Sequence, residues 1–183
     1  MLDTLDDVVL DPWQGAPPLL LCESRQTAAV LRPVVSEYRA LISGLGGHVH
    51  GHLVVDVVPR LVDNMQILWL GDLDLSGNQI QASATRILAE HNTANNVTIQ
   101  RLALTEDQVD EYDLEPISKR DNRYADGSPH MAVELEAFGQ RRIVALVRDA
   151  LDDLLPEPLD DVHVREERER AAIARRLNGQ EDR

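Results

Sequence analysis

The chain has 183 residues, 43% of them hydrophobic and only 3% aromatic, and carries a formal net charge of −14. This length fits one domain with an aliphatic core, and the composition excludes wholesale disorder. The acidic balance argues against nonspecific coating of DNA, and the few aromatics exclude an interleaved platform for stacking bases. A DNA enzyme whose reacting phosphate is neutralised by a metal stays compatible with both features.

The first segment, residues 1–18, contains four aspartates and no lysine or arginine, which is the opposite of a secretory signal peptide. The single cysteine, Cys22, excludes an internal disulfide and gives no evidence for secretion. No apolar run approaches the roughly 20 residues that span a bilayer. We therefore expect a soluble, cytoplasmic protein in which an acidic leader precedes the first strand.

Short apolar runs alternate with helical patterns through the middle of the chain. The runs predict strands at 19–22, 40–43, 66–70 and 97–104. The periodicity and capping signals predict helices at 27–38, 53–62, 76–91, 106–112 and 141–155. The alternation indicates an α/β fold over residues 19–155, with a Rossmann-like, mostly parallel sheet and helices on both faces.

A charged tail, residues 156–183, follows the predicted domain. It begins with two prolines and continues into a helix of mixed charge at 164–177. We interpret this helix as solvated, or as an element that docks on a partner.

Acidic residues directly follow two of the predicted strands. Glu23 ends the first of them, and Asp72 and Asp74 follow the third within GDLDLSG. Ligands bind beyond the carboxyl ends of parallel strands, so these carboxylates are expected to converge. Three carboxylates this close would repel one another unless one of them is protonated or a cation lies among them. Because carboxylate oxygens are hard ligands, the expected cation is Mg²⁺ or Mn²⁺. The alternative is that Asp74 and Ser76 cap the helix that follows them, that Glu23 caps the helix after the first strand, and that Asp72 is a solvated turn acid.

A family resemblance rests on these motifs together with two longer strings, RLALTEDQVDEYDLEPISKRDNR and VELEAF. Over roughly residues 19–155 the chain resembles a TOPRIM domain. It is similar to the TOPRIM part of topoisomerase VI A subunits, although Leu75 stands where proline is usual. It also resembles stand-alone bacterial and phage TOPRIM proteins and the nuclease subunit of Wadjet-type plasmid-defence systems.

The resemblance implies that Glu23, Asp72 and Asp74 bind a divalent metal and that the protein breaks or rejoins phosphodiester bonds in DNA. Glu23 would also serve as the acid or base. Lys119 and Arg123, in KRDNR, would steady the scissile phosphate. A surface loop with local ion pairs is the alternative for KRDNR.

One departure from the family concerns the nucleophile. Topoisomerases of this kind carry the attacking tyrosine on a winged-helix domain that precedes TOPRIM, whereas only 18 residues precede the first predicted strand here. We therefore expect hydrolysis, or action together with a partner protein that supplies a winged-helix or ATPase function.

For two other polar motifs the sequence leaves more than one role open. HVHGH places His48, His50 and His52 in a glycine-rich segment that is either a plain solvent loop or a transition-metal site. VELEAF would present Glu134 and Glu136 on one face of a strand, near the metal site or paired with the arginines that follow. We favour an ion pair for Glu136 and leave Glu134 open.

Two further functional classes compete with metal-dependent DNA processing. A haloacid-dehalogenase-like phosphatase would use Asp72 as nucleophile and Asp74 as acid. That motif usually lies on the first strand of its fold, however, and Glu23 would have no role. A non-catalytic module would use the same fold to bind DNA or a partner subunit. DNA processing remains the leading hypothesis.

Overall fold

The computed structural model describes residues 9–46, 49–120 and 129–181. The strands are β1 Leu19–Cys22, β2 Leu41–Gly44, β3 Gln66–Leu70, β4 Thr98–Ala103, β5 Ile117–Arg120 and β6 Pro129–Ala132. The α-helices are α1 Arg25–Glu37, α2 Val49–His52, α3 Leu75–His91, α4 Glu106–Glu111, α5 Gln140–Leu154 and α6 Leu159–Glu181.

Four parallel strands form the main sheet, in the order β2-β1-β3-β4. The predicted α/β fold with a parallel, Rossmann-like sheet is confirmed. β1 is apolar at every position because both of its faces are covered. Leu20 packs with α1 and α5, while Leu21 packs with the core that includes Trp69 and α3. The apolar run thus fixes β1 in the centre, with its carboxyl end next to that of β3.

The helix predicted over residues 53–62 is wrong in type. The chain forms the four-residue α2, then a π-helical turn at Leu53–Val57 and a 3₁₀ turn at Val58–Arg60. β-branched valines weaken a regular helix here, and Pro59 has no backbone N–H with which to continue one. This short, irregular layer covers the sheet beside β2.

The strand expected through VELEAF is also corrected. β6 ends at Ala132, Val133 forms an isolated bridge with Leu73, and Glu134 begins a 3₁₀ turn at Leu135–Phe138. The antiparallel β5–β6 hairpin brings this part of the chain against the carboxyl end of β3.

The described part of the leader, residues 9–18, and the first half of α6 pack on the domain. The indole nitrogen of the buried Trp13 donates to the carbonyl of Tyr38 at 2.7 Å. Glu166 of α6, 3% exposed, accepts the backbone N–H of Leu10 at 2.7 Å and forms an ion pair with Arg39 at 2.6 Å. One face of α6 is therefore docked on its own chain. Among the described helices, none has the length and apolarity needed to cross a membrane.

Candidate functional site

Glu23 and Asp72 lie side by side at the carboxyl ends of β1 and β3. The register pairs Cys22 with Leu70, and the backbone N–H of Glu23 donates to the carbonyl of Leu70 at 2.8 Å. The Glu23 carboxylate then turns towards β3, where its Oε2 accepts the backbone N–H of Asp72 at 3.1 Å. The parallel pairing of two buried strands thus brings these acids together, as the sequence predicted.

Two glycines allow the Glu23 carboxylate to lie directly on the backbone. A Cβ at Gly71 would lie 2.7 Å from Glu23 Oε2 and 2.9 Å from the indole nitrogen of Trp69. A Cβ at Gly77 would lie 2.4 Å from the carbonyl oxygen of Asp72 and 3.0 Å from Glu23 Oε2. Any larger residue at either position would push this carboxylate or the Asp72 backbone away.

Asp74 is the N-cap of α3. Its Oδ1 accepts the backbone N–H of Gly77 at 2.7 Å, so the capping interpretation is confirmed for this residue. It is not confirmed for Glu23, because Ser24 is the N-cap of α1. Asp72 is not a freely solvated turn acid either, since its Oδ1 accepts the backbone N–H of Leu135 at 2.9 Å.

Lys119 reaches this acid cluster from β5. Its Nζ lies 3.1 Å from Asp74 Oδ2, 3.6 Å from Asp72 Oδ2 and 3.1 Å from Glu134 Oε1. The ammonium group therefore supplies positive charge between the two aspartates that follow β3. Glu134, left open by the sequence, is the third acid around it.

The surroundings of the cluster shift the pKa values of Glu23 and Lys119 for different reasons. Burial, followed by the nearby negative charge of Asp72, raises the pKa of Glu23 above its usual value. Burial acts to lower the pKa of Lys119, but hydrogen bonds to Glu134 and Asp74 outweigh it and leave that pKa raised. Lys119 therefore stays positively charged, whereas the ionised form of Glu23 is disfavoured by its surroundings.

Arg101, which lies in β4, holds the backbone of the site in place. Its guanidinium donates to the carbonyls of Gly71 and Asp72, and its Nε donates to the carbonyl of Leu104 at 2.6 Å. Burial lowers the pKa of Arg101, and the charge of Glu23 acts against this shift. An arginine inside the otherwise apolar end of β4 was the signal available in the sequence.

A cleft of about 430 Å³ opens beside these acids, lined by Glu23, Asp72 and Glu134 among others. The indole N–H of Trp69, buried next to Gly71, has no hydrogen-bond partner in the described part of the chain. Oxygen-only donors and a carboxylate with a raised pKa fit a hard divalent cation in chemical type. In the present arrangement, however, no group of three or more acidic, histidine or cysteine side chains among the described residues is spaced to hold a metal ion.

Glu136 lines the cleft, whereas the two histidines that the structure describes, His50 and His52, are not among its lining residues. Arg123 and His48 fall outside the described residues. His52 bridges Ser43 and Asp56, with its Nε2 2.6 Å from Ser43 Oγ and its Nδ1 2.9 Å from Asp56 Oδ2. His50 instead lies edge-on to His91, with ring centroids 5.8 Å apart. These two histidines therefore do not share a ligand.

The chain was compared with protein-family models, curated proteins and solved structures. No protein-family model, no curated protein and no solved structure matches the chain. The class that the structure defines is accordingly an α/β protein with a Rossmann-like parallel sheet and an acid-lined cleft at the carboxyl ends of its central strands.

Proposed function

We propose that the protein is a divalent-metal-dependent DNA-processing protein that cleaves phosphodiester bonds, a nuclease or the metal-binding part of a topoisomerase-like complex. The observation that carries this proposal is the pairing of Glu23 with the Asp72 backbone at two adjacent strand ends, on the wall of one cleft. The TOPRIM resemblance of the motifs gives the same assignment. Glu23, Asp72 and Asp74 are the proposed ligands, and Glu134 is a further oxygen donor on the same wall.

The chain's own residues have distinct tasks in this proposal. Glu23, whose pKa is raised by burial, is suited to act as the acid or base. Arg101 holds the carbonyls of Gly71 and Asp72 and so keeps the Asp72 carboxylate in position. Lys119, a fixed cation on the hairpin, is suited to contact a non-bridging phosphate oxygen.

A divalent cation such as Mg²⁺ or Mn²⁺, when bound, supplies charge neutralisation for the scissile phosphate and the leaving oxygen. Asp74 contributes only Oδ2, because Oδ1 is engaged in capping α3. Lys119 already contacts that oxygen and so competes with the cation for it. The proposal includes a partner protein that supplies a winged-helix or ATPase function, so that the complete activity is divided between two chains.

The proposal is tested by incubating the pure protein with supercoiled plasmid and Mg²⁺ or Mn²⁺, with EDTA as the blank. We expect nicking that requires metal and that falls by at least about a hundredfold in Glu23→Gln and in Asp72→Asn, because each removes a charged ligand. The matched control is Asp153→Asn, because Asp153 is an exposed acid of α5 that does not line the cleft. It should cleave at the wild-type rate.

Metal-dependent nicking that persists in both variants would reject the site. Calorimetry in parallel measures binding of Mg²⁺ and Mn²⁺ without DNA. No heat of binding at millimolar metal, together with no nicking, would reject the enzymatic proposal.

A second candidate, a non-catalytic module that binds DNA or a partner subunit, is favoured by one observation. Lys119 already contacts Asp72 and Asp74, so its positive charge offsets part of their repulsion without a metal. This candidate predicts DNA binding that is insensitive to EDTA and to Asp72→Asn, measured by fluorescence anisotropy.

A further inference from the structure

A second cavity, of about 530 Å³, runs along the outer edge of β2 between α1 and the α2 region. Its polar lining differs from that of the cleft, because three arginines face it from two sides. Arg25 and Arg32 come from α1, and Arg60 comes from the 3₁₀ turn before β3. In a chain with a net charge of −14 this is a local concentration of positive charge.

These arginines are not used by the fold. No hydrogen bond or ion pair engages Arg25, Arg32 or Arg60 within the described part of the chain, and all three are exposed. Arg39, by contrast, is paired with Glu166. The acid on the cavity wall, Asp56, is engaged with His52. The positive charge of the cavity is therefore available to a ligand.

The strand edge adds backbone donors to the same wall. β2 is the last strand of the sheet on this side, and Leu41 and Leu45 donate their N–H groups towards β1, to Pro18 and Cys22. Alternate residues of a strand point in opposite directions, so the N–H groups of Ile42 and Gly44 face the open edge. Guanidinium and backbone N–H groups together make an anion-binding surface.

The hydrogen-bonded row Ser43–His52–Asp56 fixes the remaining polar side chains of this wall. His52 is anchored by Asp56, and the Ser43 hydroxyl lies against the other ring nitrogen. Both ring nitrogens of His52 are thus engaged within this row, and the row leaves the arginines of the cavity unpaired. Among the described residues that line the cavity there is no phenylalanine, tyrosine or tryptophan on which a base would stack.

The first turn of α1 separates this cavity from the acid-lined cleft. Ser24 and Thr27 line the cleft, whereas Arg25 and Ala28 line the cavity. The side chain of Arg25 covers Gly46, whose backbone N–H donates to the carbonyl of Glu23 at 3.0 Å. A polyanion lying in the cavity would thus reach the cleft across one helical turn.

We propose that the β2-edge cavity binds backbone phosphates of the nucleic-acid strand whose scissile bond lies in the cleft. This inference rests on the proposed function and names where that substrate is held. Because the donors contact phosphate and no aromatic residue lines the cavity, binding is independent of base sequence. The absence of a base platform also favours a strand over a free mononucleotide as the source of the phosphate.

The test measures anisotropy of a fluorescein-labelled single-stranded oligonucleotide in EDTA, so that no strand is cut, at several salt concentrations. Arg32→Gln/Arg60→Gln should bind roughly tenfold or more weaker for each arginine removed. Its slope of log affinity against log salt should be shallower by about 1.4, at about 0.7 for each single-stranded phosphate contact. Arg32→Lys/Arg60→Lys, which keeps the charge, should retain most of the salt slope.

The matched control is Arg141→Gln/Arg168→Gln, which removes two exposed arginines from α5 and α6. It should leave both affinity and slope unchanged. Circular dichroism of each variant confirms folding, which we expect because neither Arg32 nor Arg60 contacts an acid in the described structure. Equal losses in the two glutamine pairs would overturn the assignment of the cavity, and so would unchanged binding in Arg32→Gln/Arg60→Gln.

Competition distinguishes the source of the phosphate. An unlabelled oligonucleotide should displace the probe at far lower total phosphate than a mixture of mononucleotides or inorganic phosphate. Equal displacement at equal phosphate would overturn the strand assignment. Failure of the proposed function has a separate signature: salt-dependent binding that needs Arg32 and Arg60, without metal-dependent cleavage by the wild type, would keep the cavity and reject the chemistry.

Discussion

The cleft and the β2-edge cavity lie on opposite sides of the first turn of α1 and handle charge in opposite ways. In the cleft the acids that follow β1 and β3 are held in place: Glu23 by a backbone N–H, and Asp72 and Asp74 by Lys119. In the cavity the arginines have no partner among the described residues. A site with fixed contacts is sensitive to small structural changes, whereas a row of free charges should affect binding and hardly affect stability.

The largest effect is expected from Gly77→Ala, which tests how tightly the cleft is built. An alanine is normally favourable inside a helix, but here its Cβ would lie 2.4 Å from the Asp72 carbonyl oxygen. Moving the backbone should cost about 3 kcal/mol in the free energy of unfolding. Urea denaturation measures this change, and a variant as stable as the wild type would contradict the close approach.

The next largest effect on stability is expected from Glu166→Gln, because Glu166 is buried and its charge is paired. This change removes the anion that holds Arg39 and Leu10 and should cost about 2–3 kcal/mol at pH 7. The hydrogen bond to Arg39 lowers the pKa of Glu166 below its usual 4.5. The stabilisation is therefore complete above about pH 4.5 and is lost as the pH falls through the lower folded pKa.

Denaturation of wild type and Glu166→Gln from pH 7 to pH 3 checks this prediction. The gap between the two proteins should narrow below pH 4.5. Glu37→Gln is the control, because Glu37 pairs with Arg148 at an exposed site and should cost less than about 1 kcal/mol. A gap that stays constant down to pH 3 would mean that ionised Glu166 is not the stabilising species.

Lys119→Met tests how far the Lys119 charge offsets the repulsion among the acids around it. In EDTA and low salt we expect a loss of about 1–2 kcal/mol, since Asp72, Asp74 and Glu134 would repel one another. The loss should shrink as salt increases. Because Lys119 competes for Asp74 Oδ2, the same variant should bind Mg²⁺ more tightly in calorimetry.

Arg86→Met is the control for Lys119→Met, because Arg86 forms an exposed pair with Glu90 within α3. It should cost at most about 0.5 kcal/mol and leave the affinity for Mg²⁺ unchanged. Weaker binding of Mg²⁺ by Lys119→Met would contradict the proposed competition.

The smallest effect, and one of opposite sign, is expected from Gly51→Ala next to the cavity. A Cβ at Gly51 meets no atom within 4 Å, and the residue is helical. Alanine should therefore stabilise the protein by about 0.5–1 kcal/mol through lower entropy of the unfolded chain. Thermal denaturation measures the gain. A loss would show that the layer beside β2 is as tightly packed as the cleft.

The sheet and its acids were predictable because local patterns determine both. Leu19–Cys22 and the last four residues of β3 are continuous apolar runs, which is typical of buried parallel strands. Residues that follow such strands must meet at one edge, so the closeness of Glu23 and Asp72 followed from strand positions alone.

The partners of these acids were not predictable, because they depend on long-range pairing. Lys119 reaches Asp74 only because β5 and β6 form a hairpin within a polar segment that carries no strand pattern. Arg101 holds Asp72 across a strand pair, and Ser43 meets His52 across two elements. None of these contacts leaves a periodic signal in the sequence.

The unpaired edge of β2 also bears on how copies of the protein behave at high concentration. An exposed strand edge is a template on which a second copy can add its own edge. Two copies that met in this way would bring Arg25, Arg32 and Arg60 of each against those of the other, and six like charges would oppose the contact. We therefore expect these arginines to disfavour edge-to-edge association, and we expect polyphosphate or concentrated salt to weaken that effect.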